Sequence, residues 1–484
     1  MIGRVYLEIF SSIWWVNILL AIFVVFLHRG GNPKNTAFWA MLLTFLPVVG
    51  FLLYLIFGQD YHKRNMFLLK KKQDEVVRLV LTSQRDDLIR GRFPFKNSRV
   101  EDYNELLFLN MTGKEGFYTE NNEVKLFYDG RDKFKSLFND IKKAKKSIDI
   151  QYYVFKNDHI GKALIQLLER KAKEGLSVRI IYDAVGGRLL TPQAFRRIEH
   201  YGGQVAKFFP SLFLWINLRI NYRNHRKIAI IDDEIGYIGG FNVGDEYLGR
   251  SKRFGYWRDT HIRIYGDAIW GLKVRFLKDW YYASKDSSIE EEIITSSVPS
   301  KGNVGIQIVA SGPDTEVEHV KFGLIKMISG AKKRIVIQTP YFIPDESLKD
   351  AILSAICSGV EVMIMVPCKP DHPFVYWATT SYLGEFAKYG ARCFIYKNGF
   401  LHAKTMLVDD YVSTVGSANM DIRSFSLNFE ANAFIYDEKI NEDLYQQFLI
   451  DCEKSEEMTW GKYEKRSNWI KVKESVSRLL SPIL

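Results

Sequence analysis

The sequence predicts an α/β fold, in which an N-terminal transmembrane helical hairpin precedes two pseudo-symmetric α/β/α halves with mostly parallel sheets. Three observations predict this fold. Two apolar runs, each about the 20 residues that a bilayer-spanning helix needs, open the chain. A helix-to-strand segment occurs at residues 144–155 and again at 331–342, 187 positions later. A pattern of His, Lys, Asp, Gly and Asn also occurs twice, 177 positions apart.

The hairpin is predicted at residues 1–60, with spans at about 9–27 and 37–57 and a turn rich in Gly, Asn and Pro between them. A pair of buried core helices is the alternative. The turn contains Arg29 and Lys34, whereas five basic residues lie within 63–72. The positive-inside rule then places both ends of the hairpin in the cytoplasm. We therefore expect a multi-pass membrane protein, with the body that follows the hairpin on the cytoplasmic side.

A basic, amphipathic linker is predicted at residues 61–121. Within it, residues 66–89 have helical spacing of apolar residues and mixed charge. This segment could lie on the membrane surface, which we favour, or pack on the catalytic body.

The two halves are predicted at residues 122–295 and 302–460, joined by a polar connector at 286–301. In each half the repeated segment leads into a strand, a helix and a further strand. Strands that alternate with helices are typical of parallel sheets covered by helices. Residues 461–484 form a C-terminal amphipathic tail, which could dock on the body or on the membrane.

The repeated motif carries the chemistry. Its two copies contain His225, Lys227 and Asp232, and then His402, Lys404 and Asp409. Gly239, Gly240 and Asn242 follow the first copy, and Gly416, Ser417 and Asn419 follow the second. On a strand, residues i and i+2 share a face, so the His and Lys of each copy point into the same space. The Asp lies at an odd offset from its His, which predicts a supporting role.

Two histidines and two lysines that converge from two halves suit a phosphodiester substrate. One imidazole attacks phosphorus, the other protonates the leaving oxygen, and the lysines hold the charged oxygens. One copy alone could equally be an ordinary pair of buried strand ends, but two copies in register indicate a site.

The paired motifs resemble those of the phospholipase D superfamily. Four stretches look like bacterial cardiolipin synthases of the two-motif type: residues 221–227 (NYRNHRK), 370–377 (PDHPFVYW), 398–404 (NGFLHAK) and 419–425 (NMDIRSF). This resemblance covers nearly the whole chain. It implies a membrane-bound phosphatidyltransferase that makes cardiolipin and glycerol from two phosphatidylglycerol molecules through a phosphatidyl-histidine intermediate.

The resemblance also implies roles for residues outside the motifs. Asp259 would orient His225, and Glu430 would orient His402, because an acid after each motif holds the motif histidine in this superfamily. Asn242 and Asn419 would bind phosphate oxygens beside the lysines. His225 is expected to be the nucleophile and His402 the acid and base.

Composition agrees with an anionic partner. The net charge is +11, so nucleic acid and anionic lipid both fit, and the charge alone does not choose between them. The resemblance implies phosphatidylglycerol and anionic membrane lipids as partners, with no nucleic acid. The four cysteines show no metal-type spacing and are expected to be isolated buried thiols. We expect no metal and no cofactor. An oligomer is compatible with the sequence.

Other functions stay open at this point. The same two histidines would serve a phospholipase D-type hydrolase of lipid or nucleic acid, or a phosphatidylserine synthase, and a non-catalytic lipid-binding anchor is a further alternative.

The first half carries about ten extra residues near an apolar stretch at 208–220, judged from the change in repeat offset from 187 to 177. This stretch could dip into the bilayer or form core between the halves.

Overall fold

The computed structural model describes residues 14–19, 21–22, 33–46, 49–51, 54, 74–113, 116–209, 222–286, 302–315, 317–369 and 371–481. The chain divides into two compact units, one of residues 1–71, 211–222 and 483, and one of residues 72–210, 223–482 and 484. The connector expected at 286–301 lies outside the described residues except for its first residue.

The first unit contains helix α1, Pro33–Phe45. Its Trp39 and Leu43 are buried together with Ala21. The ring of Trp39 lies 5.4 Å from that of Tyr54. Among the residues that the structure describes, no helix is both long enough and apolar enough to cross a bilayer.

The second unit contains two mixed sheets with helices packed against them. Its helices are α2 Asp74–Ile89, α3 Asn104–Met111, α4 Gly130–Lys143, α5 His159–Lys173, α6 Arg196–His200, α7 Ile269–Ser284, α8 His319–Gly330, α9 Glu346–Cys357, α10 Pro373–Lys388, α11 Ile422–Ser426, α12 Glu438–Glu453, α13 Trp460–Glu464 and α14 Asn468–Leu479. Short 3-10 helices span Ser98–Tyr103, Pro192–Phe195 and Asp245–Leu248.

The strands are β1 Tyr118–Thr119, β2 Asn122–Asp129, β3 Ser147–Tyr152, β4 Ser177–Asp183, β5 Gln204–Phe208, β6 Arg223–Asn224, β7 Ile228–Ile231, β8 Ile235–Gly239, β9 Trp257–Gly266, β10 Gly305–Ser311, β11 Arg334–Gln338, β12 Phe342–Ile343, β13 Glu361–Pro367, β14 Arg392–Tyr396, β15 Phe400–Leu401, β16 Thr405–Val408, β17 Val412–Gly416, β18 Met420–Asp421, β19 Asn428–Tyr436 and β20 Ser455–Glu457.

The two large sheets repeat one strand order. The first runs β15-β9-β8-β7-β3-β4-β5, with β2 also on β9. The second runs β1-β10-β19-β17-β16-β11-β13-β14-β20, with β6 also on β19. Strands β9, β8, β7, β3, β4 and β5 thus correspond to β19, β17, β16, β11, β13 and β14. The predicted repeat of two α/β halves is therefore confirmed.

The prediction of mostly parallel sheets is wrong. Parallel pairing in the large sheets is confined to β3, β4 and β5, to their counterparts β11, β13 and β14, and to the two-residue strands β15 on β9 and β6 on β19. Each motif strand is joined to the next by a tight turn, so β7 with β8 and β16 with β17 pair antiparallel. A tight turn can join only antiparallel strands, whereas parallel strands need a long crossover.

Helix α2 packs on the catalytic body, which corrects the favoured surface position. Its Leu81 and Leu88 are buried in the core that contains Ile335 and Ile364 of the second half. The Gln84 side chain donates to the backbone oxygen of Tyr118 and accepts from its backbone nitrogen, both at 2.8 Å. Apolar burial and a paired amide together fix the helix against the second sheet.

Of the stretch 208–220, only Phe208 and Phe209 are described; both are buried, and their rings lie 5.2 and 5.7 Å from that of Phe429. The rest of that stretch lies outside the described residues.

All four cysteines are free, but only Cys393 is buried, so the expectation of buried thiols is wrong for the other three.

Candidate active site

The two halves meet through a reciprocal exchange of short strands. Strand β15, which leads to His402, pairs in parallel with the start of β9 in the first half, and Phe400 lies opposite Trp257. Strand β6, which leads to His225, pairs in the same way with the start of β19 in the second half, and Arg223 lies opposite Asn428. Each motif therefore begins as an extension of the other half's sheet.

The exchange continues to the histidine backbones. The His402 N–H donates to the Arg258 carbonyl oxygen at 2.7 Å, and the His225 N–H donates to the Phe429 carbonyl oxygen at 3.0 Å. The next residue on each receiving strand is an acid, Asp259 or Glu430. The backbone register thus brings an acid of one half to the histidine of the other.

The side chains complete this crossed arrangement. Nδ1 of His402 lies 2.6 Å from Oδ2 of Asp259. Nδ1 of His225 lies 3.1 Å from Oε1 of Glu430. The expectation that Asp259 orients His225 and Glu430 orients His402 is therefore wrong, because the acid-bearing strand of each half receives the motif strand of the other half.

Both acids are fully buried, whereas the histidine side chains keep 15–20% exposure. A carboxylate on Nδ1 fixes the tautomer with the proton on Nδ1, and this leaves the lone pair on Nε2. Burial, opposed by the paired acid, lowers the pKa of His225 and of His402 to about 4. Both imidazoles are therefore neutral at pH 7 and present a nucleophilic or basic nitrogen.

The motif lysines share this buried pocket. Lys227 and Lys404 have 2% and 3% of their surface exposed, and each ammonium donates to the carbonyl oxygen of the histidine two residues before it. Burial lowers the pKa of Lys227 to about 8 and that of Lys404 to about 7. Two weakly held protons in a desolvated site favour the binding of an anion, which would raise both pKa values.

The motif aspartates lie away from the pocket. Asp232 has a φ of 55°, and its carboxylate accepts the backbone N–H groups of Lys145, Lys146 and Ser147 at 2.7–3.1 Å. Asp409 has a φ of 53° and repeats the contacts in the second half, accepting from Lys332, Lys333 and Arg334. The motif aspartates thus hold the turn after the motif strand to the start of the neighbouring strand, which agrees with a supporting role.

The asparagines after the motifs are buried near the pocket, but they differ. The Asn242 oxygen accepts from the Val154 N–H at 3.1 Å, and its amide donates to the Tyr247 hydroxyl at 3.0 Å. The side-chain oxygen of Asn419 has no hydrogen-bond partner in the part of the chain that the structure describes. One N–H of Asn242 is thus already used within the protein.

A motif glycine makes room for one of the acids. A Cβ atom added at Gly240 would lie 1.9 Å from Oδ1 of Asp259. Ser417, the counterpart of Gly240, instead lies beside the longer Glu430 and accepts the backbone N–H of Ala431 at 3.0 Å. This difference explains why the two motifs read Gly-Gly and Gly-Ser.

Sequence reasoning missed several residues around the site. The Tyr153 ring lies 4.1 Å from the His225 ring, and the Asn428 amide lies 3.3 Å from His225 Nδ1. The Trp257 ring lies 5.2 Å from that of His402. Tyr153 directly follows β3, at the end of the repeated segment, and this position was the available signal for it.

A buried arginine ties the two halves together behind the pocket. The Arg226 guanidinium donates to both oxygens of Asp279 at 2.7 and 2.8 Å. It also donates to the carbonyl oxygens of Glu430 and Ser311 in the second half, at 3.1 and 3.0 Å. Arg226 stands between the motif His and Lys in the sequence. In an extended chain its side chain therefore faces away from theirs, and this alternation was the available signal for its position behind the pocket.

No group of three or more His, Cys, Asp or Glu side chains is placed to hold a metal ion within the described ranges. The site brings together two acid-held imidazoles and two buried lysines. Such a set can attack phosphorus, transfer a proton and stabilise negative charge.

Two α/β halves that share one such histidine–lysine pocket define the phospholipase D-like class. The family model described as "Cardiolipin synthase, PLD-like domain" matches residues 137–253 and 324–451. A second model, "Phospholipase_D-nuclease N-terminal", matches residues 15–59. The chain therefore belongs to the cardiolipin synthase family of phospholipase D-like proteins.

Individual relatives agree with this assignment. The chain is 51% identical over 469 residues to a protein named cardiolipin synthase from Oceanobacillus iheyensis, with 97% of each chain covered. It is 50% identical over 477 residues to the major cardiolipin synthase ClsA of Bacillus subtilis, with 98% of each covered. The crystal structure of phosphatidylserine synthase from Haemophilus influenzae shares the fold, with a TM-score of 0.61 and 15% identity over 78% of this chain and 100% of that one.

Proposed function

We propose that this chain is a membrane-bound phosphatidyltransferase, which makes cardiolipin and glycerol from two phosphatidylglycerol molecules. The observation that carries the proposal is the pair of crossed histidine–acid contacts, His402 with Asp259 and His225 with Glu430, around two buried lysines. The cardiolipin synthases that resemble this chain over nearly their whole length support lipid as the substrate.

In the first step, Nε2 of His225 attacks the phosphorus of one phosphatidylglycerol. The bond from phosphorus to the glycerol oxygen breaks, and glycerol leaves with a proton from Nε2 of His402. His402 is neutral in the free site, but the negative charge of the bound phosphodiester raises its pKa, so that the imidazole carries this proton when it acts as the acid. The products are a phosphatidyl-histidine and free glycerol. The choice of His225 as nucleophile rests on the resemblance to the superfamily.

In the second step, a hydroxyl of another phosphatidylglycerol attacks the phosphatidyl-histidine. His402, left neutral by the first step, accepts the hydroxyl proton, and the bond from phosphorus to His225 breaks. Cardiolipin leaves, and both histidines return to their starting state. No electron donor or further co-reactant is needed.

The other residues of the pocket stabilise charge in both steps. Lys227 and Lys404 hold the non-bridging oxygens of the phosphoryl group, where the buried site strengthens their effect. Asn242 and Asn419 contribute amide donors. Asp232 and Asp409 support the motif turns.

We place the enzyme in the bacterial cell membrane. The two apolar runs at 9–27 and 37–57 form a transmembrane hairpin in this proposal, and the basic residues after the second run keep the catalytic body on the cytoplasmic side. Lipid substrates can then enter from the cytoplasmic leaflet without crossing water.

The test uses purified full-length enzyme in vesicles of radiolabelled phosphatidylglycerol, with a chelator present, followed by lipid chromatography. Cardiolipin and glycerol should appear in equal amounts. His225→Ala and His402→Ala should each abolish both products, whereas His200→Ala, at an exposed histidine, serves as the matched control. Phosphatidic acid as the main product would identify a hydrolase, and transfer to added serine in preference to phosphatidylglycerol would identify a phosphatidylserine synthase.

A further inference from the structure

Helix α14, Asn468–Leu479, exposes its apolar stripe, whereas a helix that packs on a protein body normally buries it. Four large apolar residues follow helical spacing and are well exposed: Trp469 at 67%, Val472 at 50%, Val476 at 47% and Leu479 at 74%. Residues three and four apart share a helix face. We call these four residues the apolar stripe.

The polar face of the same helix is the one that is buried. Glu474 and Ser477 have 3% and 1% of their surface exposed. The Glu474 carboxylate accepts from the Tyr463 hydroxyl at 3.0 Å and from Arg466 Nε at 2.7 Å. Arg478 forms an ion pair with Glu385 of α10. A surface helix normally buries its apolar stripe and exposes its polar face, so α14 is held in the reverse orientation.

Specific contacts fix this orientation. Lys473 lies between two aromatic rings, with its ammonium 5.1 Å from the Trp377 ring and 5.5 Å from the Trp469 ring. Lys473 and Arg478 thus attach α14 to α10, and Glu474 attaches it to Tyr463 of α13 and to Arg466. Rotating the helix to bury the stripe would break these contacts and leave the Glu474 charge unpaired.

The charge around the stripe indicates what covers it. Residues 460–479 contain six cationic side chains and two acidic ones. Three of the cations form ion pairs within the protein, Arg466 with Glu474, Arg478 with Glu385 and Lys462 with Glu456. Lys465 and Lys471 are exposed near the stripe. An apolar stripe with basic flanks is typical of a helix that lies in a membrane interface, and each cation near an anionic lipid surface is worth about 1 kcal/mol.

We propose that α14 lies in the headgroup region of an anionic lipid bilayer, with the apolar stripe turned toward the acyl chains. The helix is presented to the lipid by the catalytic body, which already holds its polar face. This role is separate from the proposed reaction, because it requires only binding to a lipid surface.

The position of α14 relates the lipid surface to the site. Its neighbour α10 begins at Pro373, two residues after Asp371, whose carboxylate accepts from the Tyr341 hydroxyl and acts electrostatically on Lys404. In the first turn of α10, Phe374 is 52% exposed. Lys473 of α14 lies beside Trp377, one turn further along α10. Docking of α14 on the bilayer would therefore hold the start of α10, next to Asp371, close to lipid headgroups.

The test is a cysteine scan of α14 in the full-length chain, reconstituted in vesicles of phosphatidylserine and phosphatidylcholine. The native cysteines are first replaced by serine, except for the buried Cys393, which becomes alanine. A fluorophore sensitive to its surroundings is attached at each exposed position in turn, and nitroxides on the lipid acyl chains quench it. Since no turnover is measured, the result is independent of the proposed reaction.

Quenching should peak with helical periodicity. Labels at 469, 472, 476 and 479 should be quenched at least twofold more than labels at the exposed polar positions 468, 471 and 475, and the difference should shrink in vesicles of phosphatidylcholine alone. Trp469→Ser with Leu479→Ser should lower the quenching of a label at 476 at least twofold. Equal quenching at all positions would overturn the proposal. The proposal would also fail if the stripe labels were protected from solvent only when the protein concentration is raised, because a second copy of the chain would then cover the stripe.

Discussion

Nδ1 of His402 lies 2.6 Å from Oδ2 of Asp259, although 143 positions and the boundary between two halves separate them in sequence. The mirror contact joins His225 to Glu430. Neither half can therefore assemble a complete histidine–acid pair by itself. The strand exchange of β6 and β15 makes the formation of the site depend on the docking of the two halves.

The turn that Asp232 holds should control stability. We predict that Asp232→Ala lowers the free energy of unfolding by about 1–3 kcal/mol, because three backbone N–H groups lose their acceptor and a left-handed φ of 55° disfavours alanine. Asp232→Asn should cost less, since asparagine tolerates this φ and keeps one acceptor oxygen. Thermal unfolding in detergent measures the effect.

Asp410→Ala is the matched control for that prediction. Asp410 is partly exposed and pairs with Arg99 at the surface, so its loss should cost at most about 1 kcal/mol. An Asp232→Ala variant as stable as Asp410→Ala would show that the motif aspartate does not anchor the turn.

The Arg226 contacts should couple the halves. Arg226→Ala should destabilise the protein by about 2–5 kcal/mol, because Asp279 is then left as a buried, incompletely paired charge and two buried carbonyl oxygens lose a donor. Arg226→Lys should rescue only part of this loss, since an ammonium cannot reproduce the planar fork. Arg250→Ala, which removes an exposed ion pair, is the control, and a loss no larger than that of the control would refute the coupling.

The depressed lysine pKa values predict a fall in activity at moderately alkaline pH. A lysine binds phosphate in its protonated form, and this form is lost as the pH rises through about 7 for Lys404 and about 8 for Lys227. The kcat/KM for phosphatidylglycerol should therefore fall above pH 7, by about tenfold per pH unit once the first lysine titrates. The acidic limb should lie near pH 4, where His225 gains a proton and loses the lone pair that attacks phosphorus.

A variant identifies the group behind the alkaline limb. Lys404→Arg should move this limb upward toward the value set by Lys227, because arginine stays protonated. Lys173→Arg, at an exposed position of α5, is the control. A limb that stays in place in Lys404→Arg would mean that another group titrates there.

Much of the site could be predicted from local pattern. The i, i+2 spacing placed each His beside its Lys, and the odd offset placed Asp232 and Asp409 on the other side, where they bind backbone N–H groups. His225 and Lys227 lie just before β7, and Asp232 lies just after it. These relations involve only a few neighbouring residues, so the sequence determines them directly. The repeat offsets likewise predicted two corresponding halves.

The errors concern relations between segments. An acid that follows its own motif in sequence suggests a pairing within the half, and only the register of β6 on β19 and β15 on β9 reveals the crossed pairing. The parallel-sheet prediction failed because the tight turns at Asp232 and Asp409 reverse the chain direction. The position of α2 depended on which apolar face was available to bury Leu81 and Leu88, which no local pattern specifies.

The crossed pairing is tested most directly with a donor whose leaving group needs no proton, phosphatidyl-p-nitrophenol. For the variant that lacks the acid–base histidine, the first-step rate is compared with that of the unchanged enzyme for each donor. The loss of rate should be at least tenfold smaller with this donor than with phosphatidylglycerol. The variant that lacks the nucleophile should not recover. Each variant that lacks an acid should then behave like the variant that lacks the histidine which this acid contacts.

We predict that Asp259→Asn recovers together with His402→Ala, and that Glu430→Gln stays inactive together with His225→Ala. The grouping of acids with histidines does not depend on which histidine attacks, because a reversal of roles would exchange the two groups as wholes. Release of p-nitrophenol in a rapid-mixing experiment is the measurement. If Asp259→Asn groups with His225→Ala, each acid acts within its own half, and the crossed site is contradicted.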